Sequence, residues 1–251
     1  MANYKIVFSP TGGTEKVSAI LCAAMGGCWE EIDLCCDIEP KNLEAGDICL
    51  ISMPSYGGRM PAVAMERVKR ISGNGAKAVL VCVYGNRAWE DSLTELQDAL
   101  DEKGFNCVGA VAAVAEHSVF RQFGAGRPDQ EDTAQLKDFA AKLNEKLSAK
   151  EFAPLLLEGS HGSYKELKPN PMKPRGNDNC GGCGLCARKC PVGAIDANNP
   201  RETNADICIS CMRCVAICPN HARDFDPVFM AQKAEEMAER LGGHKENHLY
   251  L

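Results

Sequence analysis

The sequence predicts an α/β domain with a parallel sheet, followed by a small cysteine-rich domain. Three observations predict this division. Short apolar runs alternate with helical patterns over residues 1–150, eight of the fifteen cysteines lie between Cys180 and Cys218, and a stretch rich in Pro and Gly separates the two regions. Such alternation is typical of a parallel sheet with helices on both faces.

Five apolar runs predict the strands of the first domain, at residues 4–8, 29–34, 47–53, 76–84 and 105–114. The second run is placed best at an edge, and the third is continuous, as in a central strand buried on both faces. Apolar residues at helical spacing predict helices at residues 15–25, 62–72, 90–103 and 133–147. We expect a β–α unit repeated five times, with right-handed connections.

Glycine-rich loops follow the first, third and fourth strands. In the strand order 2-1-3-4-5 these strands are neighbours, so their loops converge beyond the carboxyl ends, where open α/β sheets bind ligands. The first loop is Ser9-Pro10-Thr11-Gly12-Gly13-Thr14. Its amides, hydroxyls and the following helix N-terminus suit a phosphate, although a plain β–α turn would use the same residues. It matches neither a Walker loop nor a dinucleotide fingerprint.

This loop resembles the phosphate loop of flavodoxins, Ser/Thr-x-Thr-Gly-x-Thr, and the resemblance extends over residues 3–148. The segments PSYGGRMP and YGNRAWED are similar to the two flavin loops of that family. The resemblance implies that FMN is bound, its phosphate by Ser9, Thr11, Gly12, Gly13 and Thr14. It also implies that the flavin ring lies between Ser55, Tyr56, Gly57 and Gly58 on one loop and Tyr84, Gly85, Asn86 and Arg87 on the other.

Within these loops, Tyr56 is expected to stack on the flavin and Gly57 or Gly58 to offer a peptide near flavin N5. Local packing is the alternative for Tyr56 and for Trp89, and Arg87 could instead pair with Glu90 or Asp91. His117 follows the fifth strand near the expected flavin edge. It is either a general acid or a loop histidine without a chemical role.

Residues 150–176 are rich in Gly, Ser and Pro and predict a semi-rigid linker that wraps one domain to place the other. The predicted organisation is therefore a first domain at 1–149, a linker at 150–176, a cysteine-rich domain at 177–226, and a C-terminal segment at 227–251. In this last segment, residues 227–241 predict a helix and the final ten residues a tail.

The eight clustered cysteines form two runs of one pattern, Cys-x2-Cys-x2-Cys-x3-Cys-Pro. This spacing suits two [4Fe–4S] clusters, in which three cysteines bind one cluster and the fourth reaches the other. Zinc sites use separated pairs without a trailing Cys-Pro. The predicted ligands are Cys180, Cys183, Cys186 and Cys218 for one cluster, and Cys190, Cys208, Cys211 and Cys214 for the other.

This segment resembles the bacterial two-cluster ferredoxins over residues 177–226, and the whole chain looks like a flavodoxin–ferredoxin fusion. The resemblance implies a flavodoxin-like domain with a C-terminal α+β ferredoxin-like domain. The favoured function is a carrier that shuttles low-potential electrons among redox partner proteins. The alternative is an iron–sulfur flavoprotein reductase that acts on a small organic substrate at the flavin, in which case the chain is an enzyme. A homodimer is possible, and the sequence does not decide it.

Composition excludes several classes of partner. The net charge is −6 and hydrophobic residues make up 45% of the chain, so nucleic acid is not expected and a folded core is. No stretch reaches the length of a signal peptide or a membrane span. Fifteen cysteines without an export signal predict reduced thiols in a cytoplasm, and suggest an anaerobic host.

Overall fold

The computed structural model describes residues 1–149, 151, 153–167 and 170–251. It contains a six-stranded sheet with helices on both faces, and a smaller region of short helices and turns around the clustered cysteines. The predicted linker is covered only in part, because residues 150, 152, 168 and 169 lie outside the described residues.

The sheet confirms the predicted fold class. Its strands are β1 (Asn3–Val7), β2 (Trp29–Asp33), β3 (Ile48–Pro54), β4 (Lys77–Tyr84), β5 (Asn106–Val114) and β6 (His248–Tyr250). Their order is β6-β5-β4-β3-β1-β2, and the first five strands are parallel. The predicted order 2-1-3-4-5 is therefore present, with β2 at an edge as expected.

Helices cover both faces of the sheet. They are α1 (Gly13–Met25), α2 (Ala62–Val68), α3 (Ser92–Glu102) and α4 (Gln130–Ser148). Because successive strand residues point to opposite faces, Leu50 and Val79 pack with α1 and α4, whereas Ile51 and Leu80 pack with α2 and α3. The continuous apolar sequences of the central strands follow from this burial on both faces.

The expectation of five complete β–α units was wrong at the second strand. Residues 34–47, all described, contain no helix between β2 and β3. Instead the two-residue strand Lys41–Asn42 pairs in parallel with Ile71–Ser72. This pairing also explains why α2 ends at Val68, four residues before the predicted end: Ile71 and Ser72 are extended rather than helical.

The C-terminal residues are not a tail, because β6 adds to the free edge of β5 in an antiparallel register, with Leu249 opposite Val111. Asn247 fixes this addition. Its Oδ1 accepts a 2.9 Å hydrogen bond from the Val114 amide, and its Nδ2 donates to Asp132 at 2.8 Å and to Gln135 at 2.7 Å. A strand of three residues is too short to show the alternation of apolar and polar residues in the sequence. It forms because the otherwise unpaired edge of β5 supplies its hydrogen-bond partners.

The cysteine-rich region contains α5 (Leu185–Arg188) and α6 (Arg213–Ala216), and Arg175–Gly176 pairs with Arg223–Asp224 in an antiparallel strand pair. The predicted C-terminal helix is present as α7 (Pro227–Leu241), which begins where Asp226 accepts a 2.8 Å hydrogen bond from the Phe229 amide. No helix in the described part of the chain is both long and apolar enough to cross a membrane.

The described part of the linker runs along α3. Gln97 donates a 2.8 Å hydrogen bond to the Leu155 carbonyl, and Asp98 accepts from the Gly162 amide at 2.9 Å. Farther along, Arg59 donates to the Lys165 carbonyl at 2.6 Å. This path agrees with the interpretation of a linker that wraps the first domain.

We expect Asn247→Ala to lower the free energy of unfolding by roughly 1–3 kcal/mol, because it leaves the buried Val114 amide without an acceptor. Chemical denaturation followed by far-UV circular dichroism measures this. Asn106→Ala is the matched control, since the Asn106 amide makes one exposed hydrogen bond. Equal unfolding free energies for the two variants would contradict the role given to Asn247.

Candidate functional site

The loops after β1, β3 and β4 lie side by side at one edge of the sheet. The Phe8 amide donates to the Ser52 carbonyl at 3.0 Å, and the Ser55 amide donates to the Val83 carbonyl at 2.8 Å. The Ser92 hydroxyl, on the first turn of α3, donates to the Ser55 hydroxyl at 2.9 Å. The predicted convergence of the three glycine-rich loops is therefore present.

The loop at residues 9–14 forms an open cradle at the start of α1. The Ser9 hydroxyl accepts a 2.9 Å hydrogen bond from the Glu15 amide, which leaves its own proton free. Gly12 has a φ of 90°, a left-handed conformation that favours glycine, and no atom lies within 4 Å of its missing side chain. The amides of residues 11–14 have no acceptor among the described residues. Thr11 is exposed and Thr14 buried.

The loop after β3 is a tight turn at Gly57 and Gly58, whose φ angles of 67° and 94° belong to the left-handed region. The Tyr56 amide donates to the Arg59 carbonyl at 2.9 Å, and the Arg59 amide donates back at 3.3 Å. A side chain at Gly58 would collide with the Glu90 carboxylate. Tyr56 is half-buried against the α2–α3 side of the core.

The side chains of the loop after β4 hold the C-terminal segment. The Tyr84 hydroxyl donates to the Glu246 carbonyl at 2.5 Å, and the Asn86 amide donates to the carbonyls of Leu241 at 2.5 Å and Gly243 at 2.9 Å. What remains available on this loop is therefore the backbone, together with Arg87.

Arg87 and Trp89 have different surroundings. Arg87 Nη1 contacts Glu90 at 2.6 Å, the pairing named as an alternative, but its Nη2 is buried without a partner in the described residues. Trp89 lies between the rings of Tyr84 and His248, at centroid distances of 5.0 and 4.9 Å. Local packing thus accounts for Trp89.

His117 packs against Gly85, with its Cα and ring atoms 3.0 Å from where a Gly85 side chain would begin. Its Nδ1 accepts hydrogen bonds of 3.1 Å from the amides of Val119 and Phe120, so the ring proton is on Nε2. Burial, assisted by the Arg87 cation, lowers the His117 pKa from 6.5 to about 4. The ring is therefore neutral near pH 7 and its Nδ1 is committed to the loop.

These features fit a flavin phosphate and ring. The four free amides of residues 11–14 are donors for a phosphate, and the unpartnered Arg87 Nη2 is a buried donor of the kind that requires an acceptor. Between them lie Tyr56 and the glycine turn. The side chains of Tyr84 and Asn86, in contrast, are directed at the C-terminal segment.

The eight clustered cysteines line two small cavities. Cavity A is lined by Cys180, Cys183, Cys186 and Cys218. Cavity B is lined by Cys190, Cys208, Cys211 and Cys214. Each cavity is thus lined by one of the two sets of four cysteines, and their role as cluster ligands stays a prediction.

A local two-fold repeat relates the cavities. The Ala194 amide donates to Cys190 Sγ at 3.3 Å, and the Ala222 amide donates to Cys218 Sγ at 3.2 Å. Each interaction lies four residues after the last cysteine of its motif. Hydrogen bonds to sulfur of this kind stabilise negative charge on a thiolate.

Cavity B lies against the first domain. Ile209, between two cavity B cysteines, packs on the same hydrophobic core as Tyr56. Arg67 of α2 donates to the Pro191 carbonyl at 2.7 Å and to the Leu34 carbonyl at 2.8 Å, which joins the two domains. Burial raises the pKa of Tyr56 well above its usual range, and Cys211 lies close enough to raise it further.

Residues 179–223 match the family model of the 4Fe-4S dicluster domain. The strand order of the first domain and this match together decide the architecture. The chain joins an α/β domain with a flavodoxin-like strand order to a 4Fe-4S dicluster domain. No curated protein is similar enough to match it.

Several solved flavodoxins resemble the first part of this chain. The flavodoxin of Streptococcus pneumoniae TIGR4 is 21% identical over 60% of this chain and 100% of its own, with a TM-score of 0.43. Flavodoxin 2 from Bacillus cereus is 16% identical over 58% and 99%, with a TM-score of 0.42. Fusobacterium nucleatum flavodoxin, solved with flavin mononucleotide, is 12% identical over 58% and 98%, with a TM-score of 0.38. The fold assignment rests on the observed strand order.

Three residues near the cysteine cavities were not predicted from sequence, two of them at the domain contact. The sequence indicates only that Arg67 lies in a predicted helix and that Ile209 lies between two cysteines of a motif. Arg223 was not singled out, although a comparison of the two cysteine motifs finds it: Ile195 stands at the matching place in the first motif. The contacts of Arg67 and Ile209 depend on how the domains meet, which neither motif encodes.

The linker contact at Asp98 predicts a pH dependence. A 2.6 Å hydrogen bond to Asp98 raises the His161 pKa above 6.5, and burial of Asp98 is outweighed by hydrogen bonds from Tyr164, His161 and Gly162, which lower its pKa below 3.8. Because the His161 pKa is raised, its contact stabilises the folded state below pH 6.5, and this stabilisation is lost as the pH rises through the raised pKa. Because the Asp98 pKa is lowered, its contribution is present above pH 3.8 and is lost as the pH falls through the lowered pKa. The contact is therefore strongest between these values.

We expect Asp98→Asn to lower the His161 pKa toward 6.5, measured by NMR titration of the imidazole protons. Asp138→Asn is the control, because Asp138 lies on α4 and pairs with Lys142. A His161 pKa at or below 6.5 in the unaltered chain would contradict the contact.

Proposed function

We propose that this chain is an electron carrier that holds one FMN and two [4Fe–4S] clusters and exchanges electrons with redox partner proteins. The observation that carries the proposal is the packing of cavity B against the flavin-loop side of the first domain. Ile209 and Tyr56 contact one core, and the Arg67–Pro191 hydrogen bond holds the domains together. A cluster in cavity B would thus lie beside the proposed flavin site.

The first domain supplies the groups that would bind FMN. The amides of residues 11–14 and the hydroxyls of Ser9, Thr11 and Thr14 would surround the phosphate. Ser55, Tyr56, Gly57 and Gly58 would flank one side of the ring, and the backbone of Tyr84, Gly85 and Asn86 the other, where Arg87 Nη2 would meet an acceptor. FMN, when bound, supplies conversion between paired and single electron transfer.

The cysteine sets would bind one cluster each, and their exposure suggests an order. Cys211 of cavity B is 8% exposed, and Ile209, which lines the same cavity, packs on the core of the first domain. Cys183 of cavity A is exposed, as are Gly181 and Gly182 next to it. We therefore place the cavity B cluster between the flavin and the cavity A cluster, and partner proteins at cavity A. Within one chain the distances between the sites are fixed, whereas two independent carrier proteins would have to meet by diffusion.

The reductase alternative receives less support. It needs an open pocket for a substrate beside the flavin, formed by the loop after β5. Phe120 of that loop is buried against Leu241 of α7 and Met172 of the linker, and His117 Nδ1 accepts two amides. A covered loop with a neutral, committed histidine favours a carrier.

The test measures the cofactor content of the protein and then the effect of a substitution in the phosphate loop on FMN affinity. Anaerobically purified protein is expected to contain one FMN and eight iron atoms per chain. We expect Thr11→Glu to weaken FMN binding about tenfold or more, since about 1.4 kcal/mol of charge repulsion is enough, with unchanged iron content. Thr11 is exposed, so the substitution should not disturb the core.

Thr11→Gln is the matched control, with the same size and no charge. Riboflavin, which has no phosphate, should bind both variants alike. If the unaltered protein takes up clusters but no FMN, the first domain is a scaffold and the carrier proposal is wrong. If Thr11→Glu weakens riboflavin as much as FMN, the placement of the phosphate is wrong.

A further inference from the structure

Arg223 is a buried cation that has no anionic partner among the described residues. It is 2% exposed. Its Nη2 donates to the Pro174 carbonyl at 2.9 Å and to the Thr203 hydroxyl, its Nη1 donates to the Pro200 carbonyl, and its Nε is buried without a partner. Among the described residues, no carboxylate lies within ion-pair distance of it. Arginine is rarely buried to this extent unless a negative charge compensates it.

The groups beside Arg223 that can carry negative charge are the cysteines. Arg223 lines cavity A together with Cys180, Cys183, Cys186 and Cys218. It also reaches the wall of cavity B, because Pro174 and Thr203, which accept hydrogen bonds from its Nη2, line that cavity. The guanidinium therefore stands between the two sets of four cysteines.

The local two-fold repeat shows that the fold does not need a cation here. Ala194 and Ala222 make the same amide-to-sulfur hydrogen bond in the two motifs, so the next residues, Ile195 and Arg223, occupy equivalent places. Ile195 is 6% exposed and lines cavity B. An apolar side chain thus fills this position in one half of the domain, and packing does not account for arginine in the other half.

We propose that Arg223 is a fixed cation between the two clusters, that the clusters provide its counter-charge, and that it raises their reduction potentials. The inference rests on the cluster ligands given under the proposed function. Reduction adds an electron to an already anionic cluster, so a nearby cation favours the reduced form. Charge and hydrogen bonds around the sulfurs are among the factors that set cluster potentials, and burial weakens solvent screening of the charge.

The neutral partners of Arg223 fit this positioning role. The carbonyls of Pro174 and Pro200 and the hydroxyl of Thr203 orient the guanidinium but add no charge. Its positive charge is therefore not cancelled before it acts on the clusters. Both cavities would share the effect, which would lessen the repulsion between two reduced clusters in one small domain.

The test compares variants of the full-length, cluster-loaded protein in an anaerobic redox titration followed by EPR and visible absorbance. Arg223→Ile copies the residue of the other half. We expect the equilibrium constant for one-electron reduction of at least one cluster to fall tenfold or more, and a tenfold fall equals about 59 mV. Arg223→Lys, which keeps the charge, should restore most of the potential.

Arg201→Ile is the matched control. It removes the same charge from the same domain, but Arg201 is exposed and, among the described residues, its guanidinium forms one ion pair, with Asp178 at 3.5 Å. We expect its potentials to stay within threefold of the unaltered protein in equilibrium constant. A comparable shift from Arg201→Ile would mean that net charge alone sets the potentials, which would overturn a specific role for Arg223.

Iron content separates the two possible failures. If the unaltered protein does not bind eight iron atoms, the cluster assignment of the proposed function is wrong and the inference is overturned with it. If Arg223→Ile binds eight iron atoms and its potentials are unchanged, only the inference on Arg223 is overturned. If Arg223→Ile does not load, Arg223→Gln, which is neutral and polar, is measured by the same criterion.

Discussion

The contact between cavity B and the edge of the α/β core is the interaction on which the rest of this structure depends. Apolar burial of Ile209 on the core and the Arg67–Pro191 hydrogen bond form it. Without this contact only the linker and the C-terminal segment would join the two domains, and the distance between the two proposed cofactor sites would not be fixed. With it, two separately recognisable folds become one molecule with fixed spacing between their sites.

Two further segments hold this arrangement. The linker follows α3 through hydrogen bonds to Gln97 and Asp98. The segment after α7 returns to the first domain, where β6 extends the sheet and Tyr84 and Asn86 bind its carbonyls. The loop after β4 is therefore fastened by residues that lie beyond the cysteine-rich domain in sequence. Loss of the C-terminal strand would loosen the proposed flavin site as well as the sheet.

Sequence reasoning succeeds here where a local pattern encodes the structure. Cysteine spacing predicts which four residues line each cavity, and apolar runs predict the parallel strands. The doubly-wound order 2-1-3-4-5, taken from the general rule for such sheets, then predicts that the glycine-rich loops converge. It fails where a segment contacts another that is distant in sequence. Strand β6 forms only because it pairs with the edge of β5, and the Asn86 amide donates its hydrogen bond to the Leu241 carbonyl. Arg223 is an intermediate case. Comparison of the two cysteine motifs identifies it in the sequence, but its proposed role follows only from its burial in the structure.

The most direct test of the account is the kinetics of electron transfer within the chain. Bound FMN is reduced by a light pulse under anaerobic conditions, and cluster absorbance is followed at several protein concentrations. The account predicts a first-order rate that does not change with concentration, because the flavin site and cavity B belong to one molecule. A rate that rises in proportion to protein concentration would show transfer between molecules and would contradict it.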